Sequence, residues 1–375
     1  MKRVCHLTSV HSSDDTRVFH KECVSLAAAG YDVTLVAPGE SREDSGVHIV
    51  GLGEKPVGTL NRIFSPFPRH AYETARALDC DLYHLHDPEL LPFALKLKRL
   101  GKKVIFDSHE FYALLIQEKK YIPKPFKGAA SSLFSAYENR VYGQIDAVII
   151  PCTTYGKNPF EKCARRTVFI DNLPDASRFP APKPLYPDAE GAVGYVGGIT
   201  EERGITRLIE ACALAGVRLR LAGPVWPAYL EELKAKPEFS CVDYAGVVPY
   251  AEVPEFCRHF CIGASTLLNI HQYISIDNLP TKVYEYMGAG LPVIISDTRS
   301  ARALEEKYGC CLCAAPDSAE DIADAVCKLM NDPALRGDMG QKGYRALQEH
   351  FNWSEEAKKL TALYAGIFET ECRIV

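Results

Sequence analysis

Short apolar runs alternate along this chain with longer segments whose apolar residues recur every three or four positions. The first runs are VCHLT (4–8), DVTLVAP (32–38) and VHIVGL (47–52), and a helical segment that ends at Gly30 separates the first two. Short apolar runs indicate buried strands, whereas a period near 3.6 indicates amphipathic helices. Strands that alternate with helices predict an α/β fold with a parallel sheet.

The same alternation continues through two sets of strands. The first set continues with DLYHLH (81–86), VIFDSHE (104–110), DAVIIP (146–151) and TVFIDN (167–172), with a helix predicted between the last two. A proline-rich linker without an apolar period, PDASRFPAPKPLYPDAEG, follows and places a domain boundary near 172–190. The second set is AVGYVGG, VRLRLAGPV, SCVDYAGVV, CIGASTLL, VIISD and CCLCA. We therefore predict two parallel-sheet domains, at 1–175 and 190–350, and a final helix within 351–375 that begins with Ser354 as its cap.

Composition and charge narrow the function classes. A length of 375 residues fits two domains, and a formal net charge of −5 argues against a dedicated nucleic-acid binder. The fourteen cysteines are dispersed, and no second ligand pair follows the cluster Cys310, Cys311 and Cys313, so reduced thiols in a cytoplasm are favoured over a metal site. The start, MKRVCHLTSV, enters a strand directly and contains no signal-peptide pattern, which also favours a cytoplasmic location.

The first loop, SVHSSDDTRV, follows the first strand at the edge of the sheet where ligands bind in open α/β folds. A dinucleotide-binding fold would carry G-x-G-x-x-G here, and this loop contains no glycine. A nicotinamide oxidoreductase is therefore disfavoured. The loop offers His11, Asp15 and Arg17 as ligand candidates, and the alternative for Asp15 or Thr16 is a helix cap.

Two polar clusters follow neighbouring strands of the first set: His84, His86 and Asp87, and then Asp107, His109 and Glu110. Histidines beside helix caps are common in loops, but two such clusters at one sheet edge favour a functional site. A histidine there can donate a hydrogen bond to a substrate hydroxyl or to a leaving oxygen.

Residues 111–143 mix lysines with aromatic and aliphatic side chains. An ordinary pair of amphipathic helices, a flexible lid and a membrane-surface patch are the three alternatives for this segment.

The stretch DNLPTKVYEYMGAGLPVIISD, residues 277–297, contains the most specific pattern of the second half. Asn278 is predicted to cap a helix that has Pro280 in its first turn. Asp277 and Glu285 lie eight positions apart, about 12 Å along a helix axis, so they cannot share one proton or one metal ion. They can bind two ends of an elongated ligand, with Lys282 and the helix start holding an anion between them. The alternative is a surface helix with scattered charges.

A second anion-binding pattern follows the strand AVGYVGG. Gly197 and Gly198 permit a phosphate to approach the backbone, and Arg203 can pair with it.

These motifs resemble those of the retaining glycosyltransferases of family four, which have the GT-B fold of two Rossmann-like domains facing a central cleft. The resemblance covers essentially the whole chain. Its most specific part is PTKVYEYMGAGLPVIISD, which is similar to the family's E-x7-E region. VGGITEERGITRLIEA, DLYHLHDPELL, VIFDSHE and DTRVFHKECVSLAAAGYDVTLVAP support it.

The resemblance implies roles for individual residues. Glu285 matches the acid that binds the donor ribose, and Asp277 stands where the family usually has the glutamate that contacts the transferred sugar. Gly198 stands in place of the family's arginine, Arg203 in place of its lysine, and Lys282 restores a second cation. His109 matches the histidine near the donor sugar. The implied catalytic residues are His109, Asp277 and Glu285. The residues implied to bind the donor are Gly197, Gly198, Arg203, Asn278, Leu279, Pro280, Thr281, Lys282, Val283 and Glu285. The candidates on the acceptor side are His11, Asp15, Arg17, His86, Asp87 and Glu110.

The implied function is retaining transfer of a hexose-type sugar from a UDP- or GDP-sugar to a hydroxyl of a saccharide or lipid-linked acceptor, in bacterial surface polysaccharide synthesis. It requires no metal and no cofactor. The implied location is cytoplasmic, with peripheral contact at the inner membrane face as an open alternative, and the helix in 351–375 is expected to pack on the N-terminal domain. The rival functions are a GT-B sugar-nucleotide epimerase or phosphorylase and a non-catalytic partner subunit.

Overall fold

The computed structural model describes residues 1–58, 65–119, 122–268, 270 and 276–372. The chain divides into two compact units, which consist of residues 1–172 with 354–375 and of residues 173–353. Each unit is built around one sheet.

The sheet of the first unit has eight strands in the order β3-β4-β2-β1-β5-β6-β7-β8. All neighbouring pairs are parallel except β3 with β4, which is antiparallel. The strand order reverses between β1 and β5, where His6 lies directly opposite His84. The strands are β1 Arg3–Leu7, β2 Asp32–Ala37, β3 Arg42–Asp44, β4 Val47–Gly51, β5 Leu82–Leu85, β6 Lys103–Asp107, β7 Ala147–Ile150 and β8 Thr167–Phe169.

The first connection is a π-helix, Thr16–Cys23, which continues as the short α-helix Val24–Ala28. The helix predicted between β7 and β8 is wrong, because residues 151–166 form turns and an isolated bridge. Pro151, Gly156 and Pro159 explain the failure, since each interrupts a helical segment. Among the described residues, the other α-helices of this part are Phe67–Ala77, Leu91–Arg99, Tyr112–Glu118 and Lys124–Tyr142.

Residues 111–143 contain two helices, Tyr112–Glu118 and Lys124–Tyr142, as the helix-pair alternative predicted. The second helix exposes Phe126 and Leu133 to solvent. Among the described residues, no helix is both long enough and apolar enough to cross a membrane.

The sheet of the second unit has six parallel strands in the order β11-β10-β9-β12-β13-β14. This is the doubly wound order, with a switch point between β9 and β12 where ligands characteristically bind. Strand residues alternate between two apolar layers, so that Val193 and Tyr195 pack in one layer and Ala192 and Val196 in the other. The strands are β9 Ala192–Val196, β10 Arg218–Ala222, β11 Val242–Tyr244, β12 Ile262–Ser265, β13 Val293–Ser296 and β14 Cys311–Ala314.

The helices of the second unit cover both faces of its sheet. In the part of this unit that the structure describes, the α-helices are Ile205–Leu214, Pro227–Lys234, Val253–Phe256, Thr281–Gly288, Arg299–Tyr308, Ala319–Met330 and Pro333–His350. The last helix of the chain, Trp353–Cys372, begins one residue before Ser354, so Ser354 is not its cap. Tyr364 of this helix is fully buried in the first unit, where it contacts His6 and His84.

Candidate active site

Gly197 and Gly198, the glycine pair that follows β9, leave the backbone without side chains at the switch point of the six-stranded sheet. Gly197 has a φ of +135°, and a Cβ on it would lie 2.9 Å from Nζ of Lys282. A Cβ on Gly223, which follows β10, would lie 1.9 Å from the carbonyl oxygen of Gly197. Glycine is required at Gly197 because of its positive φ, and at Gly223 because the backbone of Gly197 leaves no room for a side chain.

Lys282 is a buried cation beside this bare backbone, with only 5% of its surface exposed. Its Nζ lies 3.8 Å from the centre of the Tyr195 ring, and the Tyr195 hydroxyl donates to the carbonyl of Gly198 at 2.8 Å. Within the described part of the chain, Nζ has no hydrogen-bond partner. Burial, together with the charge of Arg203, holds the pKa of Lys282 well below its usual range. Burial thus favours the neutral amine, and an anion bound beside Nζ would stabilise the charged ammonium.

Arg203 supplies a second cation from the turn Glu201–Arg203. The turn ends at Gly204, which has a φ of +72° and where a Cβ would lie 1.8 Å from the Thr266 carbonyl oxygen. This close packing holds the turn against the loop that follows β12. Nε of Arg203 lies 3.7 Å from the position that a Cβ would take on Gly198. Arg203 and Lys282 therefore both lie beside the glycine pair.

The helix Thr281–Gly288 begins directly after Pro280, which has no side-chain acceptor to cap it. The predicted cap at Asn278 is wrong, because the helix starts three residues later. Leu279 and Val283 are buried in the apolar core, so their side chains hold the loop in place. The backbone amides in the first turn of this helix have no side-chain cap. The helix dipole adds a partial positive charge at the same end, where Lys282 lies.

Glu285 lies one helical turn after Lys282 and is only 8% exposed. Burial, together with the charge of Glu285, raises the pKa of Tyr250 to about 12. The guanidinium of Arg178 packs over the Tyr250 ring, with its Cζ 3.8 Å from the ring centre. Tyr250 and Arg178 were not predicted, and they add an aromatic surface near the acid.

Asp277 lies outside the helix, so the helical spacing expected between it and Glu285 does not apply. Its carboxylate forms an ion pair with the exposed Arg299. Whether Asp277 contacts a sugar stays a prediction.

In the first unit, Asp87 lies at the switch point of the eight-stranded sheet. Its Oδ2 accepts hydrogen bonds from Thr8 Oγ1 at 2.8 Å and from the Ser9 amide at 2.7 Å. His11 Nε2 lies 3.6 Å from Asp87 Oδ1, and His11 Nδ1 lies 2.9 Å from Asp15 Oδ2. Although burial opposes it, the hydrogen bond to Asp15 and the charge of Asp87 raise the pKa of His11 above its usual value.

Asp15 caps the π-helix, because its Oδ1 accepts from the amides of Arg17 and Val18 at 2.9 Å each. The structural alternative for Asp15 is thus confirmed. The Arg17 guanidinium, predicted as a ligand candidate, forms a buried bidentate pair with Asp107 through Nε at 3.0 Å and Nη2 at 3.1 Å. Its Nη1 has no hydrogen-bond partner among the described residues. A role of Arg17 towards an acceptor stays a prediction that depends on Nη1.

His109 is the accessible end of a row of histidines. Its Nε2 lies 3.1 Å from Nδ1 of the buried His86 and 3.3 Å from Oδ2 of Asp107. His86 continues the row to His6, and burial lowers the pKa of both imidazoles. Neutral His86 can therefore fix the orientation of the His109 ring.

The remaining acceptor-side candidate, Glu110, has an exposed side chain, and its backbone carbonyl accepts from Ser108 Oγ at 2.9 Å. Sequence reasoning missed His6, Glu22 and Tyr364, which complete the buried row. A signal existed for His6, since it is a polar residue inside the otherwise apolar run VCHLT.

Two protein-family models match the chain. The model described as Glycosyltransferase Family 4 matches residues 16–158, and the model described as Glycosyl transferases group 1 matches residues 181–346. No curated protein matches the chain.

Several solved structures share the fold along nearly the whole chain. Sucrose-phosphate synthase from Thermosynechococcus elongatus is 16% identical with a TM-score of 0.76, over 99% of this chain and 100% of that one. HepE from Anabaena, solved with UDP and glucose, is 14% identical with a TM-score of 0.72, over 98% and 100%. WaaG, a glycosyltransferase involved in lipopolysaccharide biosynthesis, is 14% identical with a TM-score of 0.66, over 97% and 99%. The predicted fold class, two Rossmann-like domains of the GT-B type, is thereby confirmed.

Proposed function

Since this chain belongs to the glycosyltransferases of family 4 and group 1, we propose that it transfers a hexose from a UDP- or GDP-sugar to a hydroxyl of a saccharide or lipid-linked acceptor, with retention at the anomeric carbon. HepE was solved with UDP and glucose, which supports a UDP-hexose as the first donor to test. WaaG acts in lipopolysaccharide biosynthesis, which supports a role in surface polysaccharide synthesis.

The observation that carries this proposal is the buried ammonium of Lys282 at the glycine pair. It has no hydrogen-bond partner among the described residues, and it stands in the first turn of a helix without a side-chain cap. A diphosphate bound over Gly197 and Gly198 would supply the missing anion. Arg203, which lies beside Gly198, would then contact a second phosphate oxygen.

These groups suit the leaving group of the reaction. As the bond between the anomeric carbon and the phosphate oxygen breaks, negative charge grows on the diphosphate. Lys282, Arg203 and the helix-start amides are already oriented towards that charge, so they stabilise the transition state more than the ground state. Because the protein supplies the cations, the proposed reaction uses no metal ion at the diphosphate.

The rest of the donor has candidate partners in the same unit. Glu285 would accept hydrogen bonds from the ribose hydroxyls, and the Tyr250 ring lies close enough to influence it electrostatically. Asp277 would contact the transferred hexose after exchanging part of its ion pair with Arg299 for a sugar hydroxyl.

On the acceptor side we propose His109 as the histidine that donates to the hexose, held by His86 and Asp107. The acceptor oxygen would attack on the face from which the phosphate leaves, and its proton would pass to the departing phosphate oxygen. His11, Asp87 and the exposed Glu110 would bind further acceptor hydroxyls.

We further propose that the protein works in the cytoplasm and meets lipid-linked acceptors at the membrane surface. The exposed Phe126 and Leu133, on a helix that also carries Lys124 and Lys127, support peripheral contact.

The test is a thermal-shift screen of UDP-, GDP-, ADP- and TDP-hexoses, followed by transfer assays with the stabilising donor. A donor at 100 times its Kd stabilises the fold by about 2.7 kcal/mol, which gives a clear shift. Proton NMR of the product would show a glycosidic bond with the anomeric configuration of the donor.

Three outcomes would contradict the proposal in different ways. A donor shift with conversion in the absence of any acceptor would indicate an epimerase. Release of a sugar phosphate by added inorganic phosphate would indicate a phosphorylase. The absence of any donor shift would indicate a non-catalytic partner subunit.

A further inference from the structure

Four polar side chains converge in the fully buried core of the first unit. His6 on β1 pairs in register with His84 on β5, and His86 lies two residues beyond His84, so all three side chains lie on one face of the sheet. Glu22 reaches the same place from the π-helix Thr16–Cys23. All four residues have no exposed surface, and one nitrogen or oxygen of each lies within 4.8 Å of the others.

The ring nitrogens on the outer side of this cluster are all hydrogen-bonded. The Tyr364 hydroxyl lies 2.8 Å from Nδ1 of His84 and 3.0 Å from Nε2 of His6. Nδ1 of His86 lies 3.1 Å from Nε2 of His109. Each imidazole is thereby oriented so that its other nitrogen faces the centre.

Among the described residues, hydrogen bonding within the cluster satisfies the inner atoms of His6 and His86 but not those of His84 and Glu22. Nδ1 of His6 and Nε2 of His86 are 3.0 Å apart. Within the described residues, Nε2 of His84 and both carboxylate oxygens of Glu22 have no hydrogen-bond partner, although Arg17 Nε lies 3.0 Å from Glu22 Oε1 as an ion pair. Several buried polar atoms without hydrogen-bond partners in one cluster are unusual in a folded protein.

We propose that His6, His84, His86 and Glu22 bind one divalent transition-metal ion of the zinc class. Imidazole nitrogens and carboxylate oxygens are both zinc ligands, and four such atoms meet the tetrahedral coordination of that ion. At Zn–N distances of about 2.0–2.1 Å, ligand atoms in a tetrahedron lie about 3.3 Å apart. The 3.0 Å separation of His6 and His86 and the 3.9 Å separation of His6 Nδ1 and Glu22 Oε2 reach that value with small side-chain shifts.

The outer hydrogen bonds fit the same assignment, because ligating histidines usually bond their second nitrogen to a fixed partner. The π-helix also fits, since such helices are rare and recur at functional sites. Here it turns Glu22 towards the sheet and Arg17 towards Asp107.

The ion assigned here is structural. Four protein ligands without exposed surface leave no position for water or substrate, which is the pattern of closed sites. It cross-links β1, β5 and the π-helix and takes no part in the transfer step, so this inference does not depend on the proposed function.

A neighbouring group, His86, Asp107 and His109, is a weaker candidate. Both oxygens of Asp107 already accept hydrogen bonds from Arg17. His109 serves as a discriminating control, because it belongs to this second group and only orients His86 in the first.

The experiment measures metal in the full-length protein by mass spectrometry, after purification without affinity metals from zinc-supplemented cells and after refolding with Zn²⁺. The expected result is about one equivalent per chain in the wild type and in His109→Ala. His84→Gln and Glu22→Gln are each expected to lose at least tenfold of that content. Less than a tenth of an equivalent in both wild-type preparations would overturn the proposal, as would loss of metal in His109→Ala with retention in His84→Gln.

If the variants fail to fold, X-ray absorption of the wild type decides. Three imidazole ligands and one oxygen support the site, and a sulfur ligand, which would implicate the buried Cys5 or Cys23, overturns it.

Discussion

The two units place charged groups at the same point of the same fold, the switch point of a parallel sheet, but in opposite electrostatic situations. In the first unit Arg17 is paired with Asp107, and Asp87 accepts from Thr8 and Ser9. In the second unit Lys282 is equally buried, and no described residue accepts a hydrogen bond from its Nζ. The guanidinium and the carboxylates of the first arrangement are bonded to protein groups, whereas we propose that a ligand completes the second.

This difference has an energetic consequence. Removing one member of a satisfied buried pair leaves the other charge uncompensated, so the folded state loses stability. Removing an unpaired buried charge relieves a cost of burial, so the fold is preserved and only ligand binding suffers. Substitutions in the two units should therefore separate stability from activity.

The largest effect is expected for Arg17→Met. The substitution leaves the Asp107 carboxylate buried without its cation, and the free energy of unfolding should fall by about 3–5 kcal/mol. Urea denaturation followed by circular dichroism measures this loss. Arg69→Met is the matched control, because Arg69 forms an exposed pair with Glu73 and its loss should leave the free energy of unfolding nearly unchanged. Equal effects of the two substitutions would contradict the comparison.

For Lys282→Met we expect kcat/KM for transfer to fall about 100-fold, since one preorganised donor to the developing charge is lost. Methionine is similar in length and fits an apolar site, so the melting temperature should stay unchanged or rise. Lys234→Met, at an exposed helix position, is the control for loss of a lysine. A variant that lost stability but kept its turnover would place Lys282 outside the donor site.

Glu285→Gln should weaken nucleoside diphosphate binding about tenfold, because a charged hydrogen-bond acceptor contributes about 1.5–3 kcal/mol. Calorimetric titration with UDP and GDP measures this change. Asp277→Asn serves as a comparison, since its proposed contact is with the hexose. It should leave nucleoside diphosphate affinity nearly unchanged while lowering turnover, and the reverse pattern would exchange the two proposed roles.

The smallest effect concerns the pair of His11 and Asp15, which is expected to contribute less than about 1 kcal/mol because both side chains are partly exposed. The raised pKa of His11 means that its share of stability is present below the unfolded value near 6.5 and is lost as the pH rises through the folded value. The lowered pKa of Asp15 means that its share is present above the unfolded value of 3.8 and is lost as the pH falls.

The difference in unfolding free energy between the wild type and His11→Gln should therefore be largest between about pH 4 and 6.5. Denaturation at a series of pH values tests this window. A difference that does not depend on pH would mean that the pair has no electrostatic share in stability.

Local patterns predicted the elements that depend on neighbouring residues. The apolar runs located the strands. The glycine pair and Lys282 were predicted to bind an anion, and this role stays a prediction. The predictions failed where prolines interrupted a segment that was expected to be helical, and where the chain entered a helix later than its capping residue suggested. Residues 151–166 form turns because of Pro151 and Pro159, and Asn278 caps nothing because the helix starts after Pro280.

The partners of the charged residues could not be predicted from the sequence. Arg17 is a ligand candidate in sequence, and its pairing with Asp107, ninety positions away, requires the parallel order of β1, β5 and β6. His6 and His84 meet only through the register of two strands, and Tyr364 joins them from the far end of the chain.

The sequence by itself thus determined the two-domain α/β fold, the family and the residue types available at each sheet edge. It could do so because the spacing of apolar residues and the positions of glycines affect the conformation of only a few neighbouring residues. Only the tertiary structure decided which of those charges have a partner and which, like Lys282, have no hydrogen-bond partner among the described residues. The reason is physical: the energy of a charge depends on how far it is removed from water and on which opposite charge packs against it, and both depend on contacts between segments distant in the chain.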